Sequence, residues 1–217
     1  MKRTFVLLTG TMDQGPSETR SKGDRSRARV VERAYRAAAR VGLQGLTIGE
    51  LAAELGVSKS GLFAHFGSKE NLQLAVLDFA ADAFRRQVFE PALRQPRGLP
   101  RLLAVFAGWL DWAALTERGG CVFLSSAAEY DDQDGPVRDA LVAWFEALYQ
   151  GLERTVALAV SEQHLACGDP AQLVGEMHGI VLKFHLDFRL LRRSGARERA
   201  HTAFARALDG LRSKDPS

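Results

Sequence analysis

The chain has 217 residues, 46% of them hydrophobic, and a net charge of +3. That is enough apolar material for a small domain beside a larger one with a sizeable core, and it excludes disorder outside the ends. Cys121 and Cys167 lie far apart and form no disulfide framework. The apolar FVLLTG run near the start is too short to span a membrane and, ending in polar DQGPSETR, makes a poor signal peptide, so a cytoplasmic location with no membrane partner is expected.

Residues 1–19 show no periodicity and read as a disordered leader or an over-long start, with Met12 nearer the natural one. Arg20, Lys22, Arg25, Arg27 and Arg29 follow as a basic arm able to lie along a DNA backbone or enter a minor groove. A first helix is predicted over about Arg25 to Arg40, with Val30, Ala34, Ala37 and Val41 on one face and Gly42 and Gly45 breaking it. Thr47 and Glu50 have the spacing of a capping box, and Ile48, Leu51, Ala52 and Leu55 repeat at helical spacing behind them. Gly56 suits the left-handed end of that helix, Val57 the corner and Ser58 the cap of the next helix. Two short helices joined by so tight a turn, with a third starting at once, make a DNA-reading unit. Leu62, Phe63 and Phe66 are its expected apolar anchors, leaving Lys59, Ser60, Gly61, Ala64 and His65 on the other face.

The run Val57-Ser58-Lys59-Ser60-Gly61-Leu62-Phe63-Ala64-His65-Phe66-Gly67-Ser68-Lys69-Glu70 resembles the TetR family of bacterial transcription regulators. The helix-turn-helix of that family commonly reads Val-Ser-Lys-Gly-Thr-Leu-Tyr-x-His-Phe-x-Ser-Lys-Glu, and the likeness extends over roughly Arg25 to Leu74. Ser60-Gly61 stands where the family often has Gly-Thr. Phe63 stands where it usually has Tyr, so the phenol oxygen that reaches a phosphate is missing. Charge agrees with the resemblance: residues 20–70 hold ten Lys/Arg against five Asp/Glu, a net +5, and residues 71–217 are left with −2. The expected DNA-binding residues are Arg25 and Arg27 in the arm, Thr47, Ser58, Lys59, Ser60, Gly61, Phe63 and His65 in the motif, and Lys69 after it. Thr47, Lys59, His65 and Lys69 are assigned to phosphates, Ser60 and Gly61 to base edges.

The remaining chain is helical by pattern. A fourth helix over about Lys69 to Gln87 is expected to act as a lever between the head, residues 20–70, and a body, residues 71–217. A fifth spans about Leu99 to Thr116, closed by Gly119-Gly120, and a sixth about Cys121 to Ala128. Pro136 opens a seventh that ends near Ser161. Asp169 caps an eighth, about Pro170 to Arg193, and the ninth runs from about Ala196 to Leu211. The expected fold is all-α: an N-terminal three-helix helix-turn-helix head with a larger helical ligand-binding and dimerisation domain, about nine helices in total.

Phe106, Trp109, Ala113, Cys121, Phe123, Trp144, Phe145 and His178 are candidates for an effector pocket, with Glu129 and His185 as further polar contacts. The same aromatic spacing serves an ordinary core. By resemblance the last two helices pair across a two-fold axis, which makes Leu173, Met177, Ile180, Val181, Phe184, Phe188, Leu191, Phe204 and Leu208 candidate dimer-interface residues. No cofactor or metal is expected. Asp131, Asp132 and Asp134 lack the glutamate of a calcium loop, and His164 with Cys167 gives only two ligands. No phosphate loop, paired acids or nucleophile elbow has a recognisable pattern. The sequence therefore reads as a dimeric DNA-binding regulator, a repressor released from a palindromic operator by a small apolar or amphipathic effector. The alternative is a helical small-molecule-binding protein or enzyme without an operator.

Overall fold

The structure is a computed structural model that describes residues 22–115 and 120–212. Nine main helices occur among these residues: α1 (Lys22–Val41), α2 (Ile48–Leu55), α3 (Lys59–Phe66), α4 (Lys69–Phe84), α5 (Leu99–Ala114), α6 (Val122–Tyr130), α7 (Pro136–Ser161), α8 (Pro170–His185) and α9 (Ala196–Asp209). A π-helical turn, Arg85–Phe89, and a short helical turn, Glu90–Leu93, follow α4, while a second π-helical turn, Leu186–Leu190, follows α8. The described residues are otherwise turns and loops with one isolated bridge, Leu165 to Arg212. The fold is all-α, as expected. The leader assigned to residues 1–19 and Gly119 of the expected stop after α5 lie outside the described residues.

Local chemistry sets these boundaries. The Thr47 hydroxyl accepts from the Glu50 N–H at 3.2 Å and donates to the Glu50 carboxylate at 2.8 Å. Gly56 ends α2 in the left-handed region at φ 65°, and Ser58 Oγ accepts from the Gly61 N–H at 3.0 Å to start α3. Asp169 caps α8 by accepting from the N–H groups of Ala171 and Gln172 at 3.0 and 3.3 Å. The basic arm is shorter than expected: α1 begins at Lys22, so Arg25, Arg27 and Arg29 ride on a helix.

The chain forms two compact units. One contains α1 to α3, α4 as far as Ala83, α6, and α7 as far as Trp144; the other contains Phe84–Leu115 and the chain from Phe145 onward. The first therefore gathers more than the head drawn at residues 20–70. Its core is built from Ala34, Tyr35 and Ala38 of α1, Leu43 and Leu46 of the following connection, Leu51 of α2, Leu62 and Phe66 of α3, and Leu72 and Val76 of α4, all buried. Phe63, expected to be an anchor, is 51% exposed, because the helical turn that buries Leu62 and Phe66 carries it outward.

In the second unit, Phe84 meets Trp109 and Trp112 edge-on, and Phe106 stacks on Phe204 at 4.1 Å. Gly108 lets α5 approach the π turn closely, since a Cβ there would stand 3.4 Å from Val88 Cα. Leu173, Met177, Val181 and Phe184 of α8, with Phe204 and Leu208 of α9, are buried in the single chain. These residues were expected at a dimer interface; the structure uses them as the chain's own core. Ile180 and Phe188 are half-buried and Leu191 is exposed. The π-helical turn widens the helix after His185 and breaks the 3.6-residue phase on which the expectation for Phe188 and Leu191 rested. It also brings Asp187 inward, where Lys183 Nζ donates to it at 2.5 Å and Arg193 at 3.4 Å. These donors, the Lys183 hydrogen bond foremost, hold the Asp187 carboxyl below the usual aspartate range. Among the described residues, no helix is long and apolar enough to cross a membrane, and no group of three or more His, Cys, Asp or Glu could hold a metal ion.

Candidate nucleic-acid interface

Eight-residue α2 and α3 meet through a turn fixed at two points, the Gly56 cap and the Ser58 hydroxyl. Leu51 and Ala52 from α2 and Leu62 and Phe66 from α3 bury the inner faces. The opposite face of α3 is open: Lys59, Ser60, Gly61, Phe63, Ala64 and His65 are all exposed. Gly61 has a local reason, since a Cβ there would press on the capping Ser58 hydroxyl at 3.0 Å. Ser60 Oγ is 3.2 Å from the same hydroxyl. The Lys59 stem passes over α2 where Gly49 leaves room; a Cβ on Gly49 would stand 3.1 Å from its Cε.

Around that face, some cations are committed internally. Arg33 pairs with Glu54, tying α1 to α2, and Arg36 pairs with Glu32 at 2.6 Å. Arg27 lies over the Phe66 ring at 5.1 Å, with the rest of its side chain exposed along α1. Lys69 Nζ donates to the Gln44 carbonyl at 2.6 Å. An ammonium carries three donors, so this bond leaves Lys69 able to reach a phosphate as well. Arg25, Thr47, Ser58 and Lys69 are exposed too, so every residue assigned to DNA from the sequence presents to solvent. Sequence reasoning missed the clasp that holds this head from behind. Glu129 of α6, a candidate polar contact of the effector pocket on sequence, accepts from the Gln44 N–H at 2.9 Å.

The residues expected to line one effector pocket fall in both units. In the first, Phe123 stacks on Trp144 at 3.5 Å, and Cys121 is buried at the start of α6. In the second, Phe106, Trp109 and Ala113 are buried and Phe145 is half-buried. Trp109 stacks on His178 at 5.3 Å and 15°. His178 Nδ1 is bonded to the Tyr149 hydroxyl at 2.8 Å, whereas His178 Nε2 and Trp109 Nε1 are buried with no hydrogen-bond partner among the described residues. Burial lowers the His178 pKa and raises that of Tyr149, with Glu146 adding to the second, so both are neutral near pH 7.

A capped helix, a glycine turn and a second helix showing small and basic residues to solvent define a DNA-reading head. Residues 30–76 match the family model described as bacterial regulatory proteins, tetR family, and residues 98–204 match the one described as tetracyclin repressor-like, C-terminal domain. The chain belongs to the TetR family of bacterial transcriptional regulators, whose members are DNA-binding proteins rather than enzymes. It is similar to a TetR transcriptional regulator of Chloroflexus aurantiacus, with 25% identity over 89% of this chain and 99% of that one and a TM-score of 0.80. A TetR-family regulator of Cytophaga hutchinsonii shares the fold at 18% identity, over 91% and 100% of the chains, with a TM-score of 0.81. AibR, solved with isovaleryl coenzyme A and operator DNA, does so at 21% identity over 83% and 96%, with a TM-score of 0.68. No curated protein sequence matches the chain.

Proposed function

We propose that the protein is a homodimeric repressor that binds a palindromic operator through α3 and releases it when a small apolar or amphipathic effector binds. The observation that carries the reading is the exposed face of α3, where Ser60 and Gly61 project almost nothing beyond the helix and Lys59 and His65 flank them. Small residues let a recognition helix sink into the major groove, and the flanking lysine ammonium and imidazole ring can meet phosphates.

Dimerisation is assigned to the outer face of α8 and α9. A groove of about 560 Å³ runs there, lined by Ile180, Lys183, Ala196, Ala200, Ala203 and Ala207 among others. A Cβ added at Gly175 or Gly179 would meet nothing within 4 Å, so a second helix can approach the backbone closely. A two-fold pairing of this surface presents two heads to one site, which multiplies affinity and fixes a pseudo-palindrome.

The effector is assigned to the second unit, where the orphan Trp109 and His178 nitrogens offer polar handles among apolar side chains. AibR, with its acyl coenzyme A and operator, supports an effector of mixed apolar and polar character. Coupling is reciprocal: a ligand that weakens DNA binding binds the DNA-bound dimer more weakly by the same factor. The test is fluorescence anisotropy with a duplex selected by the protein from a random-sequence pool, followed by a metabolite panel. Enrichment of a two-fold-symmetric sequence is expected. Failure to enrich any sequence overturns the reading and leaves a helical binding protein without an operator.

A further inference from the structure

We infer that Glu129, at the end of α6, is a positioning residue for DNA reading: it holds the connection between α1 and α2, and with it the start of the helix-turn-helix. The inference rests on the DNA-binding assignment above. Glu129 and Gln44 bond reciprocally across 85 residues of sequence. The Glu129 carboxylate accepts from the Gln44 N–H at 2.9 Å, and Gln44 Nε2 donates to the Glu129 carbonyl at 2.7 Å. Beside this pair, Gln73 Nε2 donates to the Leu43 carbonyl at 2.7 Å and to the Tyr130 hydroxyl at 3.0 Å. Lys69 completes the set on the Gln44 carbonyl at 2.6 Å. Side chains from α4 and α6 thus answer the main-chain groups of Leu43 and Gln44, which no helix or strand ladder satisfies.

The steric record agrees. Gly42 has a φ of +81°, and a Cβ there would lie 1.9 Å from Glu129 Oε1. The carboxylate occupies the space that any other side chain at position 42 would take. Glu129 forms no ion pair among the described residues, so its charge is directed at a backbone N–H. Gln44 precedes the Thr47 cap by three residues, so a shift of the connection is a shift of the start of α2. The clasp also borders a polar cavity of about 320 Å³ lined by Gln44, Lys69, Gln73 and Tyr130 with part of the following acidic loop. Burial, with the neighbouring Glu129 charge, raises the Tyr130 pKa, so its hydroxyl stays protonated as the Gln73 partner.

The experiment measures binding of the full chain to a duplex it has selected from a random pool, for the unaltered protein, Glu129→Ala and Glu129→Gln, across a salt series. Glu129→Ala is expected to bind about tenfold more weakly, the equivalent of one lost charge-assisted hydrogen bond. Its slope of log K against log salt should match that of the unaltered protein, because no phosphate contact is removed. Glu129→Gln keeps an oxygen for the Gln44 N–H and should recover to within about threefold of the unaltered protein. Hydrogen exchange at the Gln44 N–H should quicken in Glu129→Ala while the amides of α3 keep their protection. If Glu129→Ala loses helix content, Glu129→Asp, one methylene short of Gln44, is read in the same way. Equal affinity of Glu129→Ala and the unaltered protein overturns the inference, as does a changed salt slope. Failure of the unaltered protein to select any duplex overturns the DNA assignment instead.

Discussion

Lys59 offers the sharpest measure of how the head meets DNA. It opens α3, is exposed, and makes no ion pair among the described residues, so its charge is available to a phosphate. Each phosphate neutralised on B-DNA contributes about 0.9 to the slope of log K against log salt. A dimer on a pseudo-palindrome carries two such lysines, so Lys59→Ala is expected to flatten the slope by about 1.8. Between 50 and 200 mM salt, a fourfold rise, the affinity deficit of the variant should then shrink about twelvefold. Anisotropy titrations at four salt concentrations, on the selected duplex and on an unrelated one, read this directly. The flattening should be the same on both sequences, because a phosphate contact carries no base information. Parallel log–log lines for variant and unaltered protein would refute the assignment. So would a loss confined to the selected sequence.

Phe204→Ala removes a fully buried ring stacked on Phe106 at 4.1 Å and should cost about 3–5 kcal/mol, read as a lowered denaturant midpoint; a change under about 1 kcal/mol would mean the core collapses around the gap. Ala203→Glu, on the lining of the α8–α9 groove, should give monomers by light scattering in place of the dimers expected of the unaltered protein, and a dimeric variant would move the interface elsewhere. Burial holds the His178 and His185 imidazoles below the ordinary histidine value of 6.5, Arg189 adding to the effect at His185. The unfolded chain therefore takes up these protons first, so their contribution to stability is full above about pH 6.5 and is lost as the pH falls toward the folded values. Urea midpoints at pH 7.5 and 5.5 should differ less in His178→Gln than in the unaltered protein; an equal difference would remove His178 from the effect.

The legible parts of the sequence were those whose cause is local. Thr47, Ser58 and Asp169 cap helices through bonds two or three residues long, so spacing alone announces them. Gly56 needs only its own φ. The exposed set on α3 followed from helical geometry, apart from Phe63, whose aromatic character suggested burial while its position on the helix faces out. On α8 hydrophobicity misled, because that helix is apolar on more than one side: Leu173, Met177, Val181 and Phe184 are buried, while Leu182 is exposed. A periodic pattern shows that an apolar face exists but not which neighbour covers it, and the π turn after His185 resets the phase without a sequence signal. Glu129 illustrates the hardest case. A polar side chain bonded to a backbone N–H 85 residues away leaves no periodicity and no motif, so only the fold can reveal it.

The sequence discontinuity of the first compact unit also orders events during synthesis. Its early helices are complete once α4 has left the ribosome, yet the carboxylate that meets Gln44 belongs to Glu129, 85 residues beyond Gln44. From the end of α4 at Phe84 to Glu129 is 129 − 84 = 45 residues, so at about 5–20 residues per second the nascent head waits roughly 2–9 s for that partner. During this interval its α1–α2 connection is held only by contacts from residues already made, among them Gln73 and Lys69. The DNA-reading end of the chain is thus translated first and finished late. A fragment cut after α4 would reproduce the nascent intermediate rather than the mature head.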